Sequence, residues 1–148
     1  MDLDRALLRV QWTLHRVLDR VTGGRYDTGR FGLPSLFLTT TGRRSGERRE
    51  TALFYIERGS DMVVVASNAG SDKPPAWWLN LQANPNADVR RGRRRHAVRA
   101  RAANAAEEAE LWPRLERGYR QYAEYRRGTT RHIPLVILEP TGETRKEA

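Results

Sequence analysis

The residues best suited to chemistry are gathered in Thr39-Thr-Thr-Gly-Arg-Arg-Ser-Gly-Glu-Arg-Arg49, which lies between two apolar runs. Leu33-Pro-Ser-Leu-Phe-Leu-Thr-Thr40 precedes it and Thr51-Ala-Leu-Phe-Tyr-Ile56 follows, so the segment reads as the tip of a β-hairpin. Gly42 and Gly46 supply positive-φ positions, which would let the tip fold tightly and offer backbone N–H groups outward. Arg43, Arg44, Arg48 and Arg49 surround those amides, with Glu47 the one acid. Amides flanked by guanidinium groups suit a phosphate or carboxylate ligand. A solvated tip whose charges only keep it soluble accounts for the same residues, and both readings stay open.

Two further groups carry polar chemistry. Met62-Val-Val-Val-Ala-Ser67 reads as a buried strand, followed by the turn-forming loop Asn68-Ala-Gly-Ser-Asp-Lys-Pro-Pro75 and a short helix, Ala76-Trp-Trp-Leu-Asn-Leu-Gln-Ala83. A strand, polar loop and helix in succession bring side chains and helix N–H groups to one spot. Farther on, Tyr119, Tyr122 and Tyr125 recur at intervals of three, on one slowly drifting helix face. Without cysteine there are no disulfides, no thiolate catalysis and no Cys-based metal site. His15, His96 and His132 lack metal-ligand spacing.

The elements that must position these groups follow in order. Leu3, Leu7, Val10, Leu14, Val17 and Val21 predict an amphipathic helix with arginines on its other faces, ended by Gly23-Gly24. It would cover a core; docking on an anionic membrane surface is the second reading. Ala87–Arg91 and Arg94–Ala102 read as a second hairpin turning at Gly92, with Ala97, Val98, Ala100 and Ala102 as a modest inner face. Its arginines suggest nucleic acid, but the stacking aromatics that single strands need are missing, so no nucleic-acid partner is expected. Asn104-Ala-Ala-Glu107 has capping-box spacing and opens a helix, interrupted or restarted at Pro113, that runs to about Arg127. Ile133–Leu138 is an apolar strand, and 141–148 a polar tail.

The 148 residues, 39% of them hydrophobic, are enough for one domain with a real core. The net charge is +9 and lysine occurs only at positions 73 and 146, so the excess is arginine and points to an anionic partner. No run approaches the ~20 apolar residues of a membrane span, nor does the N-terminus carry a signal-peptide core. A cytoplasmic protein, membrane-associated if the first helix docks, is expected. At most six mostly antiparallel strands with helices outside predict an α+β fold: a small closed or split β-barrel.

Taken together, Thr40–Gly46, Val65–Gly70, Pro75–Leu81 with Ala83-Asn-Pro85, the tyrosine helix, and Thr130-Arg-His-Ile-Pro134 resemble, in order and spacing, the deazaflavin-dependent nitroreductase family, the coenzyme F(420)-dependent quinone and nitro reductases of actinobacteria. The likeness spans roughly residues 25–140. It implies an FMN-binding-like split barrel over that span, preceded by the helix within 1–24, acting as monomer or homodimer. The implied activity is hydride transfer from reduced coenzyme F(420) to a quinone or nitroaromatic acceptor. FMN is the alternative cofactor. By the family's pattern Arg43, Arg44 and Arg49 would hold phosphate and tail carboxylates, with Ser45 and Gly46 also among the cofactor-binding residues. Ala66, Ser67, Asn68, Ala69, Gly70, Trp77, Trp78 and Asn80 would border the ring, although adjacent tryptophans on a helix cannot both face it. Ser67, Tyr119, Tyr122 and Tyr125 would form the catalytic pocket, with packing an equal reading for Tyr125. Where Asn68 stands, family members often carry Lys, and Lys73 is one conceivable substitute. His132 is expected to be structural.

Overall fold

The computed structural model describes residues 33–146, with side chains as far as residue 142. The helix expected over residues 3–21 lies outside that range. Seven strands, β1 (Ser35–Thr41), β2 (Arg48–Phe54), β3 (Ile56–Arg58), β4 (Asp61–Val65), β5 (Asn86–Arg91), β6 (Arg94–Ala102) and β7 (Leu135–Lys146), form one antiparallel sheet. Its order is β2-β1-β5-β6-β7-β4-β3. The two edge strands, β2 and β3, are consecutive in the chain and joined by Tyr55 alone. A flat seven-stranded sheet cannot bring its edges within one residue of each other. The sheet is therefore curled into a barrel left open between β2 and β3, its twist increased by a register shift between His96 and Val98 of β6.

The expected single strand Thr51–Ile56 is thus two. Tyr55 is buried and its amide donates to the Pro34 carbonyl (3.1 Å), which turns the chain from one edge to the other. The count of six strands rises to seven for this reason. The expected polar tail also changes: β7 runs on to Lys146, paired with β6 back to Arg94.

Period-2 alternation in β4 and β7 feeds two cores. Met62, Val64, Val136 and Leu138 pack inside the curl with Leu36, Leu38, Val89 and Val98. Val63, Val65, Leu135 and Ile137 pack outside, under the helices. Strands buried on both faces read as continuous apolar runs, which is what the sequence displays at Met62–Val65. Helix α1 (Ala76–Ala83) plugs the inner core, burying Trp77, Asn80 and Leu81 on one face. Of the inner face expected on the second hairpin, Val98 and Ala100 are buried, while Ala97 is half-buried and Ala102 exposed.

Helix α2 (Ala105–Gly118) covers the outer core through Leu111, Trp112 and Leu115. It passes through Pro113 unbroken, because Pro113 and Ala109, whose carbonyl loses its donor, both face water. The break comes instead at Tyr119, extended at φ −147°, where Leu33 packs so close to Gly118 that an added Cβ would sit 2.3 Å from it. Helix α3 (Gln121–Arg127) follows. The expected capping box is present: Asn104 accepts from the Glu107 amide (2.9 Å) and Glu107 from the Asn104 amide (3.0 Å). Glu107 also takes both guanidinium nitrogens of Arg101 (2.7 and 2.8 Å) and one of Arg58 (3.0 Å).

The Arg101 hydrogen bonds, then the Asn104 amide, hold the Glu107 carboxyl down to about 2 from its ordinary 4.5. A depressed folded-state pKa stabilises above the unfolded value and fades as pH falls through the folded one. Glu107→Gln keeps the cap but loses the charge, so it should cost about 1–3 kcal/mol at neutral pH. Acid melts should show the unaltered chain losing this advantage between pH 4.5 and about 2. Equal slopes for both proteins across that window would contradict the assignment.

Candidate active site

A cleft of about 740 Å³ opens along the split side of the barrel, between the β1–β2 turn, the loop after β4, helix α1 and the Tyr119–Tyr125 region. Its basic end is the turn. Arg43, Arg44, Ser45 and Arg49 line it, while Gly46, at φ +73°, shapes the turn from outside the lining. Three amides of the turn are used internally. Gly42 N–H donates to Glu47 O (2.7 Å), Gly46 N–H to Gly42 O (2.8 Å), and Glu47 N–H to Ser45 Oγ (3.1 Å). Those three amides are spent on the turn itself, and the guanidinium groups are the charged donors at this end.

Asn80 fixes the turn to the helix. Buried at 5% exposure, its Oδ1 accepts from the Arg43 amide (3.1 Å) and Arg43 Nη1 (3.3 Å), and its Nδ2 donates to Thr40 Oγ1 (3.2 Å). The acid-free surroundings matter as much. Neither Arg43 nor Arg44 has a carboxylate partner among the described residues, whereas Arg48 pairs with Asp88, Arg91 with Glu57, Arg126 with Glu116, and exposed Arg49 with Glu47. In the second hairpin Arg90, Arg91 and Arg101 are committed to the fold as well. Arg90 is buried over the Phe37 ring, and Arg101 is bound to Glu107.

The other end is phenolic. Tyr119, Tyr122 and Tyr125 all line the cleft, although the break puts Tyr119 between the helices rather than on one face with the others. Their rings meet edge to face, Tyr119 and Tyr122 at 4.9 Å and Tyr122 and Tyr125 at 6.2 Å. The hydroxyls of Tyr119 and Tyr125 both donate to Gln121 Oε1, the latter at 3.0 Å. Tyr122 is 6% exposed and its hydroxyl has no hydrogen-bond partner among the described residues. Burial, then the neighbouring tyrosines, push its phenol upward from the ordinary value of 10. The Tyr122 proton is thus retained and uncommitted.

Between the two ends runs the loop after β4. Ser67, Asn68 and Ala69 line the cleft, and Ala66 and Gly70 lie behind the lining. Asn68 (φ 46°) and Ala69 (φ 54°) are left-handed, an uncommon conformation for residues with side chains. The Asn68 side chain donates to the Lys73 carbonyl (2.9 Å), so it braces the loop, and Lys73 itself is exposed outside the lining. Trp77 forms a wall of the cleft while Trp78 packs half-buried against the inner core, as the helix geometry requires. His132 pairs with Glu108 (2.9 Å) away from the cleft.

Sequence reasoning missed Gln121 and Arg131. Arg131 stands within the Thr130–Pro134 motif, but nothing local marks a polar side chain whose partners lie about sixty residues away. It missed Leu53 and Phe54 of the cleft wall too, since strand alternation gives no sign of which face borders a cavity.

A curled, split antiparallel barrel with a cleft basic at one end and phenolic at the other defines the class of split-barrel oxidoreductases. The chain belongs to the F420H(2)-dependent quinone reductase family, whose model matches residues 7–140. It is 36% identical over 146 residues to an F420H(2)-dependent quinone reductase of Mycobacterium tuberculosis, covering 93% of this chain and 98% of that one. Among solved structures it is similar to an F420-H2 dependent reductase, FDR-A, with a TM-score of 0.66 and 36% identity over 72% of this chain and 94% of that one. A second, described as a domain-swapped dimer, aligns with a TM-score of 0.69 and 31% identity over 90% of this chain and 98% of that one. Among the described residues no helix is long and apolar enough to cross a membrane.

Replacing Asn80 with alanine removes the tie between α1, β1 and the basic turn. We expect a loss of about 1–3 kcal/mol in denaturant melts, from the orphaned Thr40 and Arg43 groups. An unchanged melt would mean that the turn is held by other contacts.

Proposed function

We propose that the chain binds reduced coenzyme F(420) in this cleft and passes a hydride to a quinone, with nitroaromatics as incidental acceptors. The observation that carries the reading is the pairing, in one cleft, of two arginines without carboxylate partners and a nine-tenths-buried tyrosine whose hydroxyl is unpartnered. The first wants an anion and the second an oxygen acceptor.

The cofactor fits that division, being a flat ring on a phosphodiester and glutamate tail. When bound it supplies a hydride, so no metal or thiol is asked of the protein. The protein's share is placement and electrostatics. Arg43, Arg44 and Arg49 grip the anionic tail at the rim, where long exposed side chains follow a flexible ligand at little cost to the fold. Trp77 and the Ser67–Ala69 loop flank the ring. At the phenolic end Tyr119 and Tyr125 have their protons engaged with Gln121, which leaves Tyr122 as the phenol able to donate to the acceptor oxygen as negative charge develops there. Its raised pKa keeps that proton in place across the neutral range. Tail and acceptor need not compete for polar contacts, because they lie at opposite ends.

Mixing the protein with reduced coenzyme F(420) and a menaquinone-like acceptor should restore the absorbance of the oxidised deazaflavin at a rate proportional to protein. No turnover, together with tight binding of FMN, would replace this reading with a flavin one. Arg49→Ala should weaken deazaflavin binding by about tenfold in a fluorescence titration, one charge-assisted contact's worth, without moving the melting temperature. Tyr122→Phe should slow acceptor reduction about tenfold while deazaflavin affinity stays within a factor of two. Because the hydroxyl has no partner to lose, the fold should tolerate the change; an unfolded variant would identify Tyr122 as a packing residue instead.

A further inference from the structure

We infer that Arg131 is the positioning residue of the cleft's middle section: its guanidinium clamps the loop after β4 and imposes the left-handed turn that presents Ser67, Asn68 and Ala69 to the ligand. Arg131 Nη2 donates to the carbonyls of Ala66 (3.1 Å) and Ser67 (2.9 Å), and Nε to that of Ser71 (2.9 Å). One planar, rigid donor fork thus satisfies carbonyls on both sides of the turn and fixes the separation of its ends.

The turn needs such a hold. Left-handed backbone at Asn68 and Ala69 is costly for residues with side chains and persists only where the surroundings over-determine it. Inside the turn the Gly70 and Ser71 amides donate to Ser67 O (2.9 Å) and Asn68 O (3.1 Å). The Asn68 and Ala69 amides have no carbonyl partner among the described residues, and both residues line the cleft. The turn therefore stands with two donors free, braced from within its own loop by the Asn68 side chain on the Lys73 carbonyl (2.9 Å).

Support comes from the far side. Thr129 Oγ1 donates to Asp72 Oδ1 (3.1 Å) and accepts from the Arg131 amide (3.3 Å), so the chain after α3 grips the loop at two points. Gly70 in turn lies flat against α3: a Cβ there would stand 3.1 Å from Tyr125 Cδ1. Arg131 lies outside the cleft lining, and it acts on the site through the backbone it holds. Lysine is a poor substitute, since a single ammonium cannot span three carbonyls in one plane.

The clamp can be tested first without any ligand. In Arg131→Lys, amide hydrogen exchange of the full chain should speed up at least tenfold at Gly70 and Ser71 and stay unchanged at Val64 and Ile137 in the core. Unchanged rates at Gly70 and Ser71, or a rise spread equally over the core, would overturn the inference. Arg131→Met, which keeps the aliphatic stem, should show the same local pattern and so separates lost hydrogen bonds from lost packing.

The positioning role rests on the proposed cofactor reading and needs a second readout. Both variants should lose affinity by the same factor for reduced F(420) and for a deazaflavin stripped of phosphodiester and glutamates, because the loss lies at the ring. A loss confined to the full cofactor would overturn it. Should the unaltered chain bind neither compound, the cofactor reading fails, and the exchange result alone decides the clamp.

Discussion

Uncompensated positive charge in a confined place is the constraint around which the rest of the molecule is arranged. With +9 overall, repulsion would be relieved most simply by pairing each guanidinium with an acid. Part of the described charge is relieved in that way, through Arg48–Asp88, Arg58–Glu107, Arg91–Glu57 and Arg101–Glu107. At the cleft Arg43 and Arg44 have no such acid among the described residues, and only exposed Arg49 does. Arg43 is tied instead to the neutral amide of Asn80, which fixes its position and leaves its charge intact. A carboxylate in place of Asn80 would hold the turn equally well but would cancel the field that an anionic ligand feels.

The barrel makes this arrangement possible. Because β2 and β3 are joined by Tyr55 alone, the sheet closes far enough to bring the tip of the first hairpin beside the loop after β4. It stays open enough to leave a cleft between them. Helix α1 fills the inner side with Trp77 and Leu81 while turning Asn80 to the basic turn, so one helical face serves core and site together. On the outer side the break at Tyr119 tips α3 so that three phenols converge, and Gln121 takes up two of their protons. Charge at one end and a retained, uncommitted proton at the other are properties of the same curled sheet.

Local signals in the sequence carried far. The hairpin tip, the apolar strand Met62–Val65, the short tryptophan helix and the Asn104–Glu107 capping box are all where residue patterns place them, since each is decided by neighbours within a few positions. Of the site, the arginines, Ser67, Trp77, Asn80 and the tyrosines do line one cleft. What escaped depends on distant partners. Pro113 looks like a helix break but faces water, while the actual break comes at Tyr119, next to the close contact of Leu33 with Gly118. The strand division at Tyr55 follows from sheet closure, and the Gly42, Gly46 and Glu47 amides are taken up by the turn itself. Arg131 has its partners about sixty residues upstream, beyond the reach of any local pattern.

The most direct test compares the affinity of the unaltered chain for reduced coenzyme F(420) at ionic strengths between about 0.02 and 0.5 M, where screening of exposed charges changes most. The account predicts affinity that falls steadily with salt for the full cofactor and scarcely changes for its ring-only fragment. Equal salt dependence for the two compounds, or binding of the full cofactor that ignores salt, would contradict the claim that unpaired arginines at the cleft's rim hold an anionic tail.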